Sequence, residues 1–149
     1  MLSKTERCYL INQCVQKMIS KVIGQFDSIY KGLDMKPLDK LKYLIKSTST
    51  FLALQPGISR ISILNDLTAG SPGDNSIQTI NAYYPVMKEA CGDKKTDDEL
   101  FILLHMLISS VQVAFLRRDV LKKMNNIDFN RKEQRDAFID KLVDSLLTF

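Results

Sequence analysis

The chain has 149 residues, 45% of them apolar and 26% charged, with a formal net charge of +4. That length suits a single domain, residues 1–149, large enough to bury a core, and the composition is that of an ordinary globular protein. So mild a charge, with no dense run of Lys and Arg interleaved with aromatics, argues against nucleic acid as a partner.

Ser3 and Glu6 have the spacing of a capping box. Behind them Leu10, Ile11, Cys14, Val15, Met18, Ile19, Val22 and Ile23 recur at helical spacing, which predicts an amphipathic helix over residues 4–23. Gly24 either ends it or is tolerated inside it. Phe26, Ile29, Tyr30 and Leu33 carry the rhythm on as an extension or a second segment.

Pro37 marks the next start, because proline suits a first helical turn where its missing N–H has no partner. Leu38, Leu41, Leu44, Ile45, Thr48, Phe51 and Leu52 fall on one face of a helix that ends before Pro56-Gly57. Lys36, Lys40, Lys42 and Lys46 lie largely elsewhere, as a solvated face or a binding face.

Ile58, Ile61, Leu64 and Leu67 predict a short helix, and Ala69 to Ser76, AGSPGDNS, predicts a loop. The loop lacks GxxxxGK[ST] spacing, so it is not a phosphate-binding loop. Ile77, Ile80, Tyr83 and Tyr84 lead to Pro85, expected to kink or end a helix. Val86, Met87 and Ala90 follow, then a polar linker from Cys91 to Lys95.

Thr96 to Phe115, TDDELFILLHMLISSVQVAF, is the most informative stretch. Thr96 and Glu99 form a capping box, and Asp97, Asp98 and Glu99 place negative charge at the positive end of a helix dipole. The helix is then apolar nearly all round. Such a helix is expected to be surrounded by other elements, as the central helix of a bundle. His105, Ser109, Ser110 and Gln112 interrupt it, so it falls short of the roughly 20 apolar residues of a membrane span. After Arg117, Arg118 and Asp119 come Val120, Leu121 and Met124. Asn130 with Glu133 makes another cap-like pair before a closing amphipathic helix bearing Ala137, Phe138, Leu142, Val143, Leu146 and Leu147. The fold class is all-α: one bundle of about six to eight helices around a buried central helix.

Chemistry is sparse. Cys8, Cys14 and Cys91 make an odd count without CxxC spacing, and His105 is the one histidine. A zinc site needs about four clustered ligands, so no metal or other cofactor is expected, and the cysteines read as reduced thiols. His105, on an apolar helix, reads as a core or near-core histidine and cannot serve a Ser-His-Asp triad. Asp97 and Asp98 as a metal pair lack a third acidic group other than Glu99, which capping explains. The N-terminus has charges where a signal peptide needs an apolar run. No integral membrane segment and a cytoplasmic location are therefore expected.

Two stretches carry a family resemblance. FDSIYKGLDMKPLDKLKYLIKSTSTFLAL, Phe26 to Leu54, resembles the opening of the vacuolar protein sorting nine domain, the catalytic domain of guanine-nucleotide exchange factors for endosomal Rab GTPases. KTDDELFILLHMLISSV, Lys95 to Val111, is similar to that family's Asp-Asp-x-Leu-Pro helix, and the spacing onward through Ile127 to the closing helix is similar too. Together these pieces cover about half of the chain. The resemblance implies a small GTPase partner, vesicle trafficking, and a cytoplasmic protein peripheral at endosomes. It gives Asp97 the catalytic position: a carboxylate that enters the nucleotide site, displaces magnesium and disturbs the phosphates. It places Asp98, Phe101, Glu133, Asp136 and Ile139 on the partner-binding surface. The chain also departs from the pattern. Phe101 stands where the family has proline. Of the family's Gly-Glu-x-Gly-Tyr-x-x-Thr stretch only Glu133 remains, with Asp136 at the tyrosine and Ile139 at the threonine. A thousandfold loss of exchange is only about 4 kcal/mol of transition-state stabilisation, so these departures imply weak or lost exchange. A reading of a different class explains the same residues: a helical-bundle adaptor, of viral Bcl type or similar, that binds a partner helix in an apolar groove without catalysis.

Overall fold

The computed structural model describes residues 1–30 and 34–147. Among them are seven α-helices and no strand: α1 (Lys4–Tyr30), α2 (Pro37–Leu54), α3 (Pro56–Ala69), α4 (Asn75–Cys91), α5 (Asp97–Leu116), α6 (Arg118–Asn125) and α7 (Lys132–Leu147). The expected all-α bundle is present. A 3-10 turn, Gly92–Lys94, joins α4 to α5.

Local signals set most of the boundaries. Ser3 Oγ accepts from Glu6 N at 3.1 Å, and Glu6 Oε2 accepts from Ser3 N at 2.7 Å, so the first capping box forms. The helix then runs through Gly24 to Tyr30. The side chains of Phe26, Ile29 and Tyr30, and the whole of Leu33, lie outside the described residues. Pro37 and Pro56 occupy first helical turns. The loop is shorter than expected, because Asp74 caps α4 by accepting from Ile77 N at 2.9 Å and draws Asn75 and Ser76 into the helix. Gly92 takes φ +57 after α4, a backbone setting that glycine adopts without a Cβ penalty.

Pro85 neither ends nor divides α4. It lies on the exposed side, as does Asn81 one turn earlier, so the carbonyl deprived of its N–H partner faces solvent. Cys91, expected to open a polar linker, is instead the buried last residue of α4.

Pairwise contacts set the helix directions. Lys42 Nζ meets Asp144 Oδ1 at 2.7 Å, Lys46 Nζ meets Asp140 Oδ1 at 2.7 Å, and Arg135 Nη2 meets Thr50 Oγ1 at 3.3 Å, so α7 runs antiparallel to α2. Lys40 pairs with Glu89 at 3.7 Å and Tyr83 Oη donates to Leu44 O at 3.2 Å, so α4 is antiparallel to α2 as well. Tyr84 bonds to Asp97 and Gln112 Nε2 donates to Ser76 Oγ at 2.7 Å, so α5 is antiparallel to α4. It follows that α5 is parallel to α2 and antiparallel to α7. The lysines of α2 are therefore largely paired with α7 and α4, and Asp144 raises the Lys42 pKa above its usual value.

The core comprises Leu41, Leu44 and Ile45 of α2, Tyr83 and Met87 of α4, Leu100, Leu104, Leu107 and Phe115 of α5, Phe129, and Ile139 and Val143 of α7. α2 touches α1, α3, α4, α5 and α7, so it shares the central position with α5. The expectation that α5 is enclosed on all sides is not met. Leu104 is fully buried, but Ile102 is 60% exposed, Val113 47% and Met106 45%. α4, α2 and α7 cover only part of its circumference. α5 also has the length and apolar content of a membrane-crossing helix, despite its polar interruptions, while 44% of that stretch is buried inside the protein.

Candidate functional site

Asp97, assigned the catalytic position by resemblance, is the first residue of α5, behind the N-cap Thr96. Thr96 Oγ1 accepts from Glu99 N at 3.2 Å and Glu99 Oε2 accepts from Thr96 N at 2.8 Å. This second capping box holds Glu99 against the helix start and keeps its carboxyl below the usual range, chiefly through the Thr96 N–H. Asp97 points to α4. Its Oδ1 accepts from the Tyr84 hydroxyl and lies 3.4 Å from Lys88 Nζ. The Tyr84 hydrogen bond, reinforced by the Lys88 charge, holds the Asp97 carboxyl below the usual carboxylate range. The same bond pushes the Tyr84 phenol up to about 12. Phe101 stacks on Tyr84, ring centroids 4.6 Å apart and planes 9° from parallel, and Lys88 Nζ sits 5.9 Å from the Tyr84 ring centre.

At neutral pH this corner presents an exposed, ionised carboxylate beside a neutral phenol. It can accept hydrogen bonds and pair with cations. The Asp97 carboxylate itself holds no proton to donate. Asp98, next to it, is exposed on a different face of the helix.

The structure does not assemble the other assigned residues around Asp97. Glu133 and Asp136 lie in the first turns of α7. Because α7 is antiparallel to α5, those turns stand at the far end of the bundle, near Thr50 and the last turns of α5. The separation is most of a helix length, on the order of 20–30 Å. Glu133 is exposed, while Asp136 Oδ2 is engaged by Lys132 at 2.6 Å on its own helix. Ile139 is 0% exposed and belongs to the core, so it cannot line a partner surface. His105 is exposed, contrary to its reading as a core residue. Its Nδ1–H donates to Phe101 O at 2.8 Å, one turn back on its own helix. Among the described residues no group of three or more His, Cys, Asp and Glu is placed to hold a metal.

Two features escaped the sequence reading. One is a polar seam across α3, α4 and α5. Asp66 Oδ2 accepts from Ser76 N at 2.9 Å and Ser76 Oγ at 2.6 Å, and Gln112 donates to that same hydroxyl. Asn75 Nδ2 donates to Ser62 Oγ and to Asn12 Oδ1 of α1. A cavity of ≈ 50 Å³ adjoins the seam, and Asp66 Oδ1 and Asn75 Oδ1 are buried without a protein partner. That volume is sufficient for a few waters. The other is a trough between α5, α6 and α7. Val113, Val120, Leu121 and Phe138 line a section of ≈ 550 Å³; Ile127, Phe138, Leu142 and Leu146 line an adjoining one of ≈ 460 Å³. Phe138 is common to both and rests edge-on against Phe129, centroids 6.0 Å apart. Apolar residues at Val120, Leu121 and Phe138 were visible in the sequence, but nothing local shows that three helices leave a gap between them.

The chain matches no protein-family model, no curated protein and no solved structure.

Proposed function

We propose that this chain is a protein-interaction domain that receives an amphipathic helix of a partner in the trough between α5, α6 and α7. The observation that carries this reading is the trough itself: two adjoining, mainly apolar hollows that meet at Phe138, one between α5, α6 and α7 and one between α7 and the Asn126-Ile127 connection, whose charged lining is Arg117 and Lys141. Grooves of this kind read apolar side chains at i, i+3, i+4 and i+7, and the flanking charge selects the partner. Two basic lining residues select a helix with acidic flanks. The test uses two synthetic helical peptides with the same Leu/Ile stripe, one flanked by Glu and one by Lys. The Glu-flanked peptide binds, the Lys-flanked peptide binds more weakly, and Val120→Glu removes binding while helical content is unchanged. Val120 is 43% exposed, so that substitution does not disturb the core. Failure of both peptides to bind overturns the reading.

A second reading, a small-GTPase partner, rests on one observation: Asp97 is exposed and held ionised at the start of α5. A carboxylate so placed repels phosphates and pairs with the lysine that holds them. Release of labelled GDP from endosomal Rab GTPases, accelerated by the wild type and not by Asp97→Ala, is the expected result under this reading. Binding to a GTPase without acceleration would leave recruitment alone. Neither result would return the whole weight to the trough.

A further inference from the structure

The open face of α5 carries a pattern that extends beyond the trough, which it meets only at Ser109, Val113 and Arg117. Asp98, Ile102, His105, Met106, Ser109 and Val113 are all exposed. At 3.6 residues per turn they share an arc of about 100°, and Arg117, also exposed, widens it to about 120° at the C-terminal end. Ile102, Met106 and Val113 are large apolar side chains left in solvent on an otherwise core-facing helix. A helix apolar all round is normally covered all round, so this face has a missing neighbour.

The residues of this stripe are also spaced symmetrically about a midpoint between Leu107 and Ile108, with complementary chemistry on the two sides. Residues equally distant from that point are Met106 and Ser109, then Ile102 and Val113, then Asp98 and Arg117. In an antiparallel helix pair related by a two-fold axis, each residue faces its counterpart across the midpoint. Superposing the stripe on a second copy in that way sets the long Met106 over the small Ser109, Ile102 against Val113, and Asp98 beside Arg117, each contact occurring twice. Large-over-small alternation lets two helices approach closely. No ion pair engages Asp98 or Arg117 among the described residues. A parallel pairing would instead stack Asp98 on Asp98 and Arg117 on Arg117.

We infer that the missing neighbour is a second copy of this chain, and that the domain forms a two-fold homodimer through antiparallel pairing of the open faces of α5. A single helix pair is a small interface, so association occurs at micromolar concentration or above. The face meets the trough at Ser109, Val113 and Arg117, so dimerisation and a helix in the trough compete.

Sedimentation velocity of the full chain over a concentration series is the test. The wild type shows a monomer–dimer equilibrium that weakens with added salt. Asp98→Arg and Arg117→Asp each weaken it by about tenfold or more, because each sets like charges face to face. Mixed in equal amounts, these two variants regain dimerisation, since the mixed pair restores two opposite-charge contacts. Ile102→Glu also abolishes the dimer while circular dichroism remains that of the wild type. A wild type that stays monomeric throughout overturns the inference. So do charge variants that dimerise like the wild type, or a mixture that fails to recover. Asp98 and Ile102 do not line the trough, so the Asp98→Arg and Ile102→Glu outcomes are independent of the peptide test, whereas Arg117→Asp alters both surfaces.

Discussion

The Tyr84 hydroxyl, on α4, donates a hydrogen bond to the Asp97 carboxylate that opens α5. It is the strongest influence on Asp97, ahead of Lys88. Tyr84→Phe keeps the ring stacked on Phe101 and removes only that bond. The Asp97 pKa then rises back toward the ordinary value of 3.8, with Lys88 still holding part of the depression. A carboxyl whose folded pKa is depressed contributes stability above its unfolded pKa and loses it as pH falls through the folded value. Tyr84→Phe therefore diminishes the loss of stability on acidification. Carboxyl-carbon NMR titration of Asp97 reads the first effect; an unmoved titration would show that Tyr84 does not control it.

The two sides of α5 should respond unequally to truncation. Leu104 is fully buried, so Leu104→Ala removes packed methyl groups and leaves a cavity, costing about 2–5 kcal/mol. Ile102→Ala, two residues earlier on the open face, changes stability by only about 0.5 kcal/mol or less at concentrations where the chain is monomeric. Urea unfolding of both variants at low protein concentration measures the contrast. Equal costs would mean that the open face is covered within the monomer.

Asp66 behaves in the opposite sense to Asp97. Burial pushes its carboxyl above the usual carboxylate value, and the hydrogen bonds from Ser76 offset only part of that. A carboxyl with a raised folded pKa favours the folded state most below its unfolded pKa, and this contribution is lost as pH rises through the folded value. Asp66→Asn retains an oxygen to accept from Ser76 and removes the charge. The variant loses that component of the pH dependence and gains stability relative to wild type as pH approaches neutrality. Unfolding curves for both proteins, from the ordinary aspartate pKa to neutral pH, check this; parallel curves would contradict it.

Thr96→Ala deletes the side-chain half of the α5 capping box, leaving Glu99 N without its acceptor. The expected cost is about 1 kcal/mol. Glu99 should still titrate below its usual range, because its main support is the Thr96 backbone N–H, which the alanine retains. A rise of the Glu99 pKa to its ordinary value would show that the box forms only as a unit.

Much of this architecture was legible residue by residue. Ser3 with Glu6, Pro37 and Thr96 with Glu99 are signals whose physics acts within one turn, and each produces a helix start where it stands; Pro56, expected only to close the preceding helix, also opens α3. Pro85 was misleading because its cost depends on whether the freed carbonyl can reach water, and that depends on which side of α4 packs inward. The candidate site was legible only in part. The acidic first turn of α5 was evident, but its partners Tyr84 and Lys88 lie on a helix whose position comes from packing.

The sequence by itself determined the helices, their caps and the all-α class, because periodicity and capping are short-range properties of the chain. Only the tertiary structure decided that α7 runs antiparallel to α5, which carries Glu133 and Asp136 to the end of the bundle remote from Asp97 and sinks Ile139 in the core. It also decided that α5, apolar nearly all round, has neighbours on only part of its circumference. An apolar side chain favours burial wherever it stands, but which helices cover it is set by how the helices pack against one another.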